Sequence, residues 1–400
     1  MLDVAKIRRD FPILNTGIVY MDSAASSLTP EPVLAKMMEF YHQYRANVDR
    51  GVHRLSQKAS EEYETAHEKV ARFLNAKNAS DIVMTRNTTE GLNLIANGLN
   101  WQKGDKIVTT LLDHHSNFVI WQRVRNRFGV ELTVIHPDSF GILDPAAFQE
   151  ALDGRTRLVA FPHISNSLGA VCPVRELVKI AKEMGVLTAV DAAQSAPHMR
   201  VDVRDIDCDF LALSGHKMCG PTGSGAFYIR EGLDRLLEPT FIGGGSIRDV
   251  SSANYELTEG WRRFEAGTPA IAEGIGLGAA VDYLEAIGIE SIHSAMKRYA
   301  EQLYKGLVAI PDVEVYGPRE QSKRAPLASF NIKGFDSHDV ALTLDISKNI
   351  MIRSGHHCAL PTMRDILGVK GTARASLYIY NTPEEIELLL SGIEDIRNSH

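Results

Sequence analysis

Cysteine is scarce in this 400-residue chain: only Cys172, Cys208, Cys219 and Cys358 occur. They show no CxxC spacing and no paired framework, which excludes a disulfide scaffold or a zinc ribbon and points to a reducing, cytoplasmic setting. No apolar run reaches the ~20 residues that a membrane-spanning helix requires. Residues 1–11 contain acids and lack an apolar core, so they carry no sign of secretion or organelle import. Basic residues do not dominate either. Lys and Arg number 43 against 50 Asp and Glu, a formal net charge of -7. That balance argues against nucleic acid or an anionic membrane as a standing partner. Nucleotide motifs are missing too. The order G-x-x-x-x-G-K-[ST] is absent, and no strand–G-x-G-x-x-G–helix unit precedes a suitably spaced acid. The glycine run at residues 274–278 falls within a helical pattern and reads as a close-packing face.

What is present describes a soluble globular protein, with 44% hydrophobic and 23% charged residues. Between residues 80 and 230, short apolar runs at 82–85, 106–110, 158–161, 186–190, 210–213 and 226–229 read as buried strands. Helical patterns at 89–99, 118–128 and 174–183 separate them. This alternation predicts an α/β domain with a mainly parallel sheet. After Gly267 the texture changes. Two long helices, 270–287 and 292–308, are split near Gly288. Strands at 327–332, near Met351 and at 374–378 follow, with helices at 338–347 and 384–396. The last helix has Thr382 as cap and Pro383 at its first position. These patterns predict a smaller α+β domain at the C-terminal end.

Open α/β sheets bind ligands beyond the carboxyl ends of their strands. Beyond 82–85 stand Thr88 and Thr89, opening a helix. They suit an anion, or serve as an ordinary helix cap. Beyond 106–110 stands Asp113-His114-His115-Ser116-Asn117, a site or mere surface loop. Beyond 186–190 stand Asp191 and Gln194. The carboxylate of Asp191 needs a partner, which a protonated ring nitrogen, a salt bridge or a helix cap would supply. Beyond 210–213 stands Ser214-Gly215-His216-Lys217, a lysine on a glycine-rich turn and so a candidate Schiff-base former. Each element is weak alone. An anion site, an aromatic face at His114, an acid for a ring nitrogen and a lysine for an aldehyde, at successive strand ends, together describe pyridoxal 5'-phosphate.

From Tyr20-Met21-Asp22-Ser23-Ala24-Ala25 to Tyr380-Asn381-Thr382, the chain resembles the class V aminotransferase group of fold-type I pyridoxal-phosphate enzymes. Within it, the chain is most similar to group II (SUF-type) cysteine desulfurases and the related selenocysteine lyases. The motifs that carry the likeness are Asn87-Thr88-Thr89-Glu90-Gly91, His114-His115-Ser116-Asn117, Val190-Asp191-Ala192-Ala193-Gln194-Ser195, Ser214-Gly215-His216-Lys217, Phe264-Glu265-Ala266-Gly267-Thr268-Pro269 and Arg353-Ser354-Gly355-His356-His357-Cys358-Ala359. The resemblance implies a large domain on a mostly parallel, seven-stranded-type sheet and a smaller α+β C-terminal domain. The expected units are an N-terminal segment 1–20 packing with the small domain, a cofactor-binding domain 21–285, and a small domain 286–400 carrying the Cys358 loop.

The resemblance also implies roles. Lys217 holds the cofactor aldehyde and moves protons; His114 stacks on the ring; Asp191 pairs with its nitrogen; Gln194 reaches its phenolic oxygen. Thr88, Thr89, Ser214 and His216 hold the phosphate. Thr268 reaches the phosphate of a partner subunit, which implies a homodimer. Arg374 holds the substrate carboxylate beside Asn166, with Arg353 and His53 also on the substrate. Cys358 takes the sulfur of L-cysteine, or the selenium of L-selenocysteine, and passes it to an acceptor or scaffold protein of iron–sulfur cluster assembly. No metal is implied. His356, His357 and Arg353 are candidates for lowering the Cys358 pKa; the two histidines are alternatively supports of the loop. Two departures stand out: Asp49 where the family commonly has His, near the expected site entrance, and Asn87 where Gly is common. The rival expectations are a selenocysteine lyase, a class V aminotransferase or lyase in which Cys358 is incidental, and a metal-binding protein using its paired histidines and Cys358.

Overall fold

The computed structural model describes residues 2–49 and 51–399. Seven strands form the central sheet: β1 (Ile82–Thr85), β2 (Lys106–Thr110), β3 (Glu131–Ile135), β4 (Thr156–Pro162), β5 (Leu187–Asp191), β6 (Phe210–Ser214) and β7 (Gly225–Ile229). Their spatial order is β1-β7-β6-β5-β4-β2-β3, and only β7 runs antiparallel to its neighbours. The predicted mainly parallel sheet is therefore present. The sequence reading omitted β3. This edge strand, Glu-Leu-Thr-Val-Ile, is only partly buried, so it lacks the continuous apolar run that marks its neighbours.

The buried strands sort their side chains by the two-residue period of a pleated strand. Along β6, Leu211 and Leu213 join one core while Phe210 and Ala212 join the other. Along β4, Val159 and Phe161 alternate with Leu158 and Ala160 in the same way. Helices α1 (Arg54–Phe73), α2 (Thr88–Gly98), α3 (Val119–Phe128) and α4 (Val174–Glu183) flank the sheet, followed by the long α5 (Ile271–Ile287). The glycine run has the packing role expected of it. A Cβ on Gly274 would stand 2.5 Å from the Tyr63 ring, and one on Gly278 3.0 Å from Ala66 Cβ. Both neighbours belong to α1, so these glycines let two helices approach closely.

Gly288, with φ +93°, breaks the chain between α5 and α6 (Ile289–Ala309). Beyond it, β8 (Val313–Val315), β9 (Leu327–Ile332), β10 (Arg353–Gly355) and β11 (Thr372–Ser376) form an antiparallel sheet in the order β8-β9-β11-β10. Helices α7 (Ser337–Lys348) and α8 (Pro383–Asn398) accompany it. The last strand begins two residues before its predicted start, so Arg374 sits mid-strand instead of at an end. Thr382 caps α8 and shares a capping box with Glu385. The N-terminal segment reaches this region: Val19–Tyr20 pairs in parallel with Ile350–Met351, and Arg8 contacts Glu385 at 2.6 Å.

Candidate active site

One cleft opens at the carboxyl ends of β2, β4, β5 and β6. It is lined by Thr88, Thr89, His114, Asn166, Asp191, Gln194, Ser214, His216, Lys217, Arg353, Cys358 and Arg374, among others. Strand ends that lie far apart in sequence thus bring twelve of the fourteen expected residues together. The other two lie elsewhere. His53 caps α1, its Nδ1 accepting the Ser56 amide at 3.3 Å. Thr268 lines a separate pocket with Tyr63, Arg86 and Phe264. Asp49 also lies away from the cleft. Its backbone is left-handed at φ +76°, and its carboxylate stands 3.5 Å from Arg262.

At the start of α2 the cap is Asn87, not a threonine: its Oδ1 accepts the Glu90 amide at 3.0 Å. Both threonine hydroxyls are thereby released from capping. Thr88 Oγ1 lies 2.7 Å from Ser214 Oγ, which joins two of the expected anion ligands into one cradle at a helix N-terminus. Thr89 Oγ1 lies 2.7 Å from Ser116 Oγ, and Ser116 is 2.9 Å from His114 Nδ1. His114 Nδ1 also accepts the Ser116 amide at 3.1 Å, so the ring proton is assigned to Nε2. Burial, with nearby Lys217, pushes the His114 pKa down to about 3, which keeps the ring neutral. A neutral, edge-anchored ring suits stacking on another aromatic.

Asp191 ends β5. Its Oδ1 accepts the Ala193 amide at 2.9 Å, while its other oxygen makes no hydrogen bond to the described residues. Burial raises its pKa, and Lys217 opposes the shift. Lys217 lies on the turn after β6. Burial lowers its pKa to about 8, against the pull of Asp191. A lysine lowered this far offers an appreciable neutral amine near neutrality. Gln194 Nε2 donates to the Ala24 carbonyl at 2.7 Å, and His216 Nδ1 lies 3.3 Å from Ser26 Oγ.

Arg374, fully buried and paired across the sheet with Arg353, donates to Asp22 Oδ1 at 3.0 Å and to the Asn166 carbonyl at 2.8 Å. Asp22 was not foreseen as a site residue. Its motif, Met21-Asp22-Ser23, offers no local signal, because its partner lies 352 residues away. Arg374 Nε and Asn166 Oδ1 are buried without a partner. Buried polar groups are almost always satisfied, so these atoms mark hydrogen-bonding capacity that the chain itself leaves unused.

The Cys358 loop differs in character. His357 and Cys358 both have left-handed backbone, at φ +52° and +55°. His357 is buried, with Nε2 2.8 Å from Thr372 Oγ1, and burial drives its pKa down to about 2. It therefore supplies no positive charge to the thiol. His356 Nδ1 accepts the Cys358 amide at 3.1 Å. Of the two readings offered for these histidines, support of the loop is the one their contacts favour. Among the described residues, no group of three or more His, Cys, Asp or Glu is arranged to hold a metal ion. No described helix is long and apolar enough to cross a membrane.

The family model for aminotransferase class-V matches residues 19–389. A probable cysteine desulfurase from Pyrococcus abyssi is 48% identical, over 98% of this chain and 97% of its own length. Another, from Synechocystis, is 47% identical over 98% and 94%. Among solved structures, the apo cysteine desulfurase of Thermococcus onnurineus superimposes with a TM-score of 0.96 at 46% identity, covering 100% of this chain and 99% of that one. The cysteine desulfurase CsdA of Escherichia coli gives 0.92 at 32% identity, covering 100% and 99%. The fold is that of a fold-type I enzyme of the pyridoxal-phosphate class. The chain belongs to the class-V aminotransferase family and, within it, to the cysteine desulfurases.

Proposed function

We propose that this chain converts L-cysteine to L-alanine and carries the released sulfur as a persulfide on Cys358. The observation that carries the reading is a single cleft holding Lys217, Asp191, Arg374 and Cys358. The unused Arg374 Nε, Asn166 Oδ1 and second Asp191 oxygen support the fit of pyridoxal 5'-phosphate and an amino acid there. When bound, that cofactor supplies an electron sink that acidifies the α-proton of the amino acid. Lys217 Nζ would hold the cofactor and then take and return that proton. Asp191 would keep the ring nitrogen protonated, His114 would cover the ring, and Gln194 would meet its phenolic oxygen. Thr88, Thr89, Ser214 and His216 would receive the phosphate. Arg374, with Asn166 and Arg353, would orient the substrate carboxylate.

The Cys358 thiolate attacks the substrate sulfur. A sulfur–sulfur bond forms and the carbon–sulfur bond breaks, its electron pair passing to the carbon fragment that is protonated to alanine. No external oxidant or reductant is needed. A class V enzyme in which Cys358 is incidental would have no reason to turn this side chain into the cleft.

The same reading assigns the units 1–20, 21–285 and 286–400, a cytoplasmic setting consistent with four free cysteines, and a homodimer in which Thr268 serves the neighbouring cleft. The RxGHHCA loop is of the short, group II kind, so a protein acceptor of iron–sulfur assembly would collect the persulfide. The test is to incubate the yellow holoenzyme with cysteine and weigh it. A gain of one sulfur mapped to Cys358, absent in Cys358→Ala, is expected. Undiminished sulfide release by Cys358→Ala would overturn the reading.

A further inference from the structure

His115 lies outside the cleft and has no part in the reaction proposed above. Its contacts nevertheless converge on the reactive loop. The His115 amide donates to the Cys358 carbonyl at 2.8 Å, and His115 Nε2 accepts the Leu360 amide at 3.1 Å. Its ring lies 5.7 Å from that of His356, which in turn accepts the Cys358 amide. The cysteine peptide is therefore gripped on its carbonyl, on its amide and two residues further on. This matters because consecutive left-handed residues, neither of them glycine, persist only where their surroundings hold them.

The grip has a rigid base. The Asp113 carboxylate, two residues before His115, accepts Thr109 Oγ1 at 3.0 Å, the Thr110 amide at 3.0 Å, Thr110 Oγ1 at 2.8 Å and Asn117 Nδ2 at 2.6 Å. Thr362 Oγ1 donates to the Leu111 carbonyl at 2.5 Å, tying the far side of the cysteine loop to the same strand end. Burial, together with His356, lowers the His115 pKa, which favours the neutral ring that an accepting Nε2 requires.

We propose that His115 is a positioning residue for Cys358: it transfers the rigidity of the β2 strand end to the sulfur-accepting loop. The proposal rests on Cys358 being the nucleophile. Attack on a substrate sulfur depends on placement, so loosening the grip slows sulfur transfer without touching the cofactor.

The test compares His115→Gln with His115→Asn in the holoenzyme. The Gln carbonyl reaches the place of Nε2 and can accept the Leu360 amide; the Asn carbonyl is too short. Visible cofactor absorbance, the absorbance change on adding cysteine, and the rate of persulfide formation on Cys358 in a single turnover are measured. His115→Asn should retain both absorbance signals and KM while persulfide formation falls by about tenfold or more. His115→Gln should recover most of that loss. Equal rates in the two variants, or a loss of absorbance in step with the loss of rate, would overturn the proposal. Cys358→Ala run alongside separates this failure from a failure of the desulfurase reading, since only the latter leaves sulfide release intact in that variant.

Discussion

Lys217 and Cys358 face the same cleft but are held by opposite means. Lys217 follows a strand buried on both faces, and its neighbours Ser214 and His216 are tied to Thr88 and Ser26. Cys358 sits on a left-handed loop of the other sheet region, secured by histidines and by backbone amides. The first arrangement gives a permanent floor. The second gives a side chain whose placement depends on contacts between two parts of the chain, as suits the sulfur-carrying role proposed for it.

The contrast is tested most severely at the two residues themselves. Cys358→Ala and Lys217→Ala should each lower cysteine turnover by at least about a thousandfold, as loss of a nucleophile or covalent anchor does. Only Lys217→Ala should also change the absorbance of the bound cofactor; a spectrum altered equally in both would erase the distinction. The second test uses pH. With its pKa lowered to about 8, Lys217 is mostly protonated at pH 7. The rate at which cofactor-free enzyme captures pyridoxal phosphate should therefore rise roughly tenfold per pH unit below that value and level off above it. Stopped-flow absorbance between about pH 6 and 9 checks this: an unperturbed lysine, with a pKa of about 10.4, would give a rate that keeps rising through pH 9 with no plateau.

A third, smaller effect concerns the joint between the regions. Asp22→Ala strands the buried Arg374 cation and should cost about 2–3 kcal/mol in urea unfolding, less than a wholly buried pair because Asp22 is partly exposed. The smallest effect is expected on the floor side. Asn87→Ala should cost about 1 kcal/mol as a lost helix cap, and Asn87→Gly only a few tenths. A large effect of Asn87→Gly on cofactor retention would show that Asn87 does more than cap.

Much of the floor was legible in the sequence. Thr88, Asp191 and Lys217 each follow a short apolar run, and a buried parallel strand announces itself by such a run. The edge strand β3 was missed because half-exposed residues dilute that signal. Asp22 as partner of Arg374, and His115 as support for Cys358, were not legible at all. Each pairing joins positions more than two hundred residues apart, and neither residue type is unusual for its place.

The sequence by itself determined the strand-end residues, the cofactor chemistry they describe and the presence of a cysteine in a histidine-rich loop. Local periodicity and residue chemistry suffice for these. Only the tertiary structure decided that Asn87 is the cap, that His356 and a neutral, buried His357 brace the cysteine loop, and that His53 and Thr268 lie outside the cleft of their own chain. Those outcomes depend on which donor reaches which acceptor and on how far burial strips a ring of its proton. Both are set by packing between distant segments.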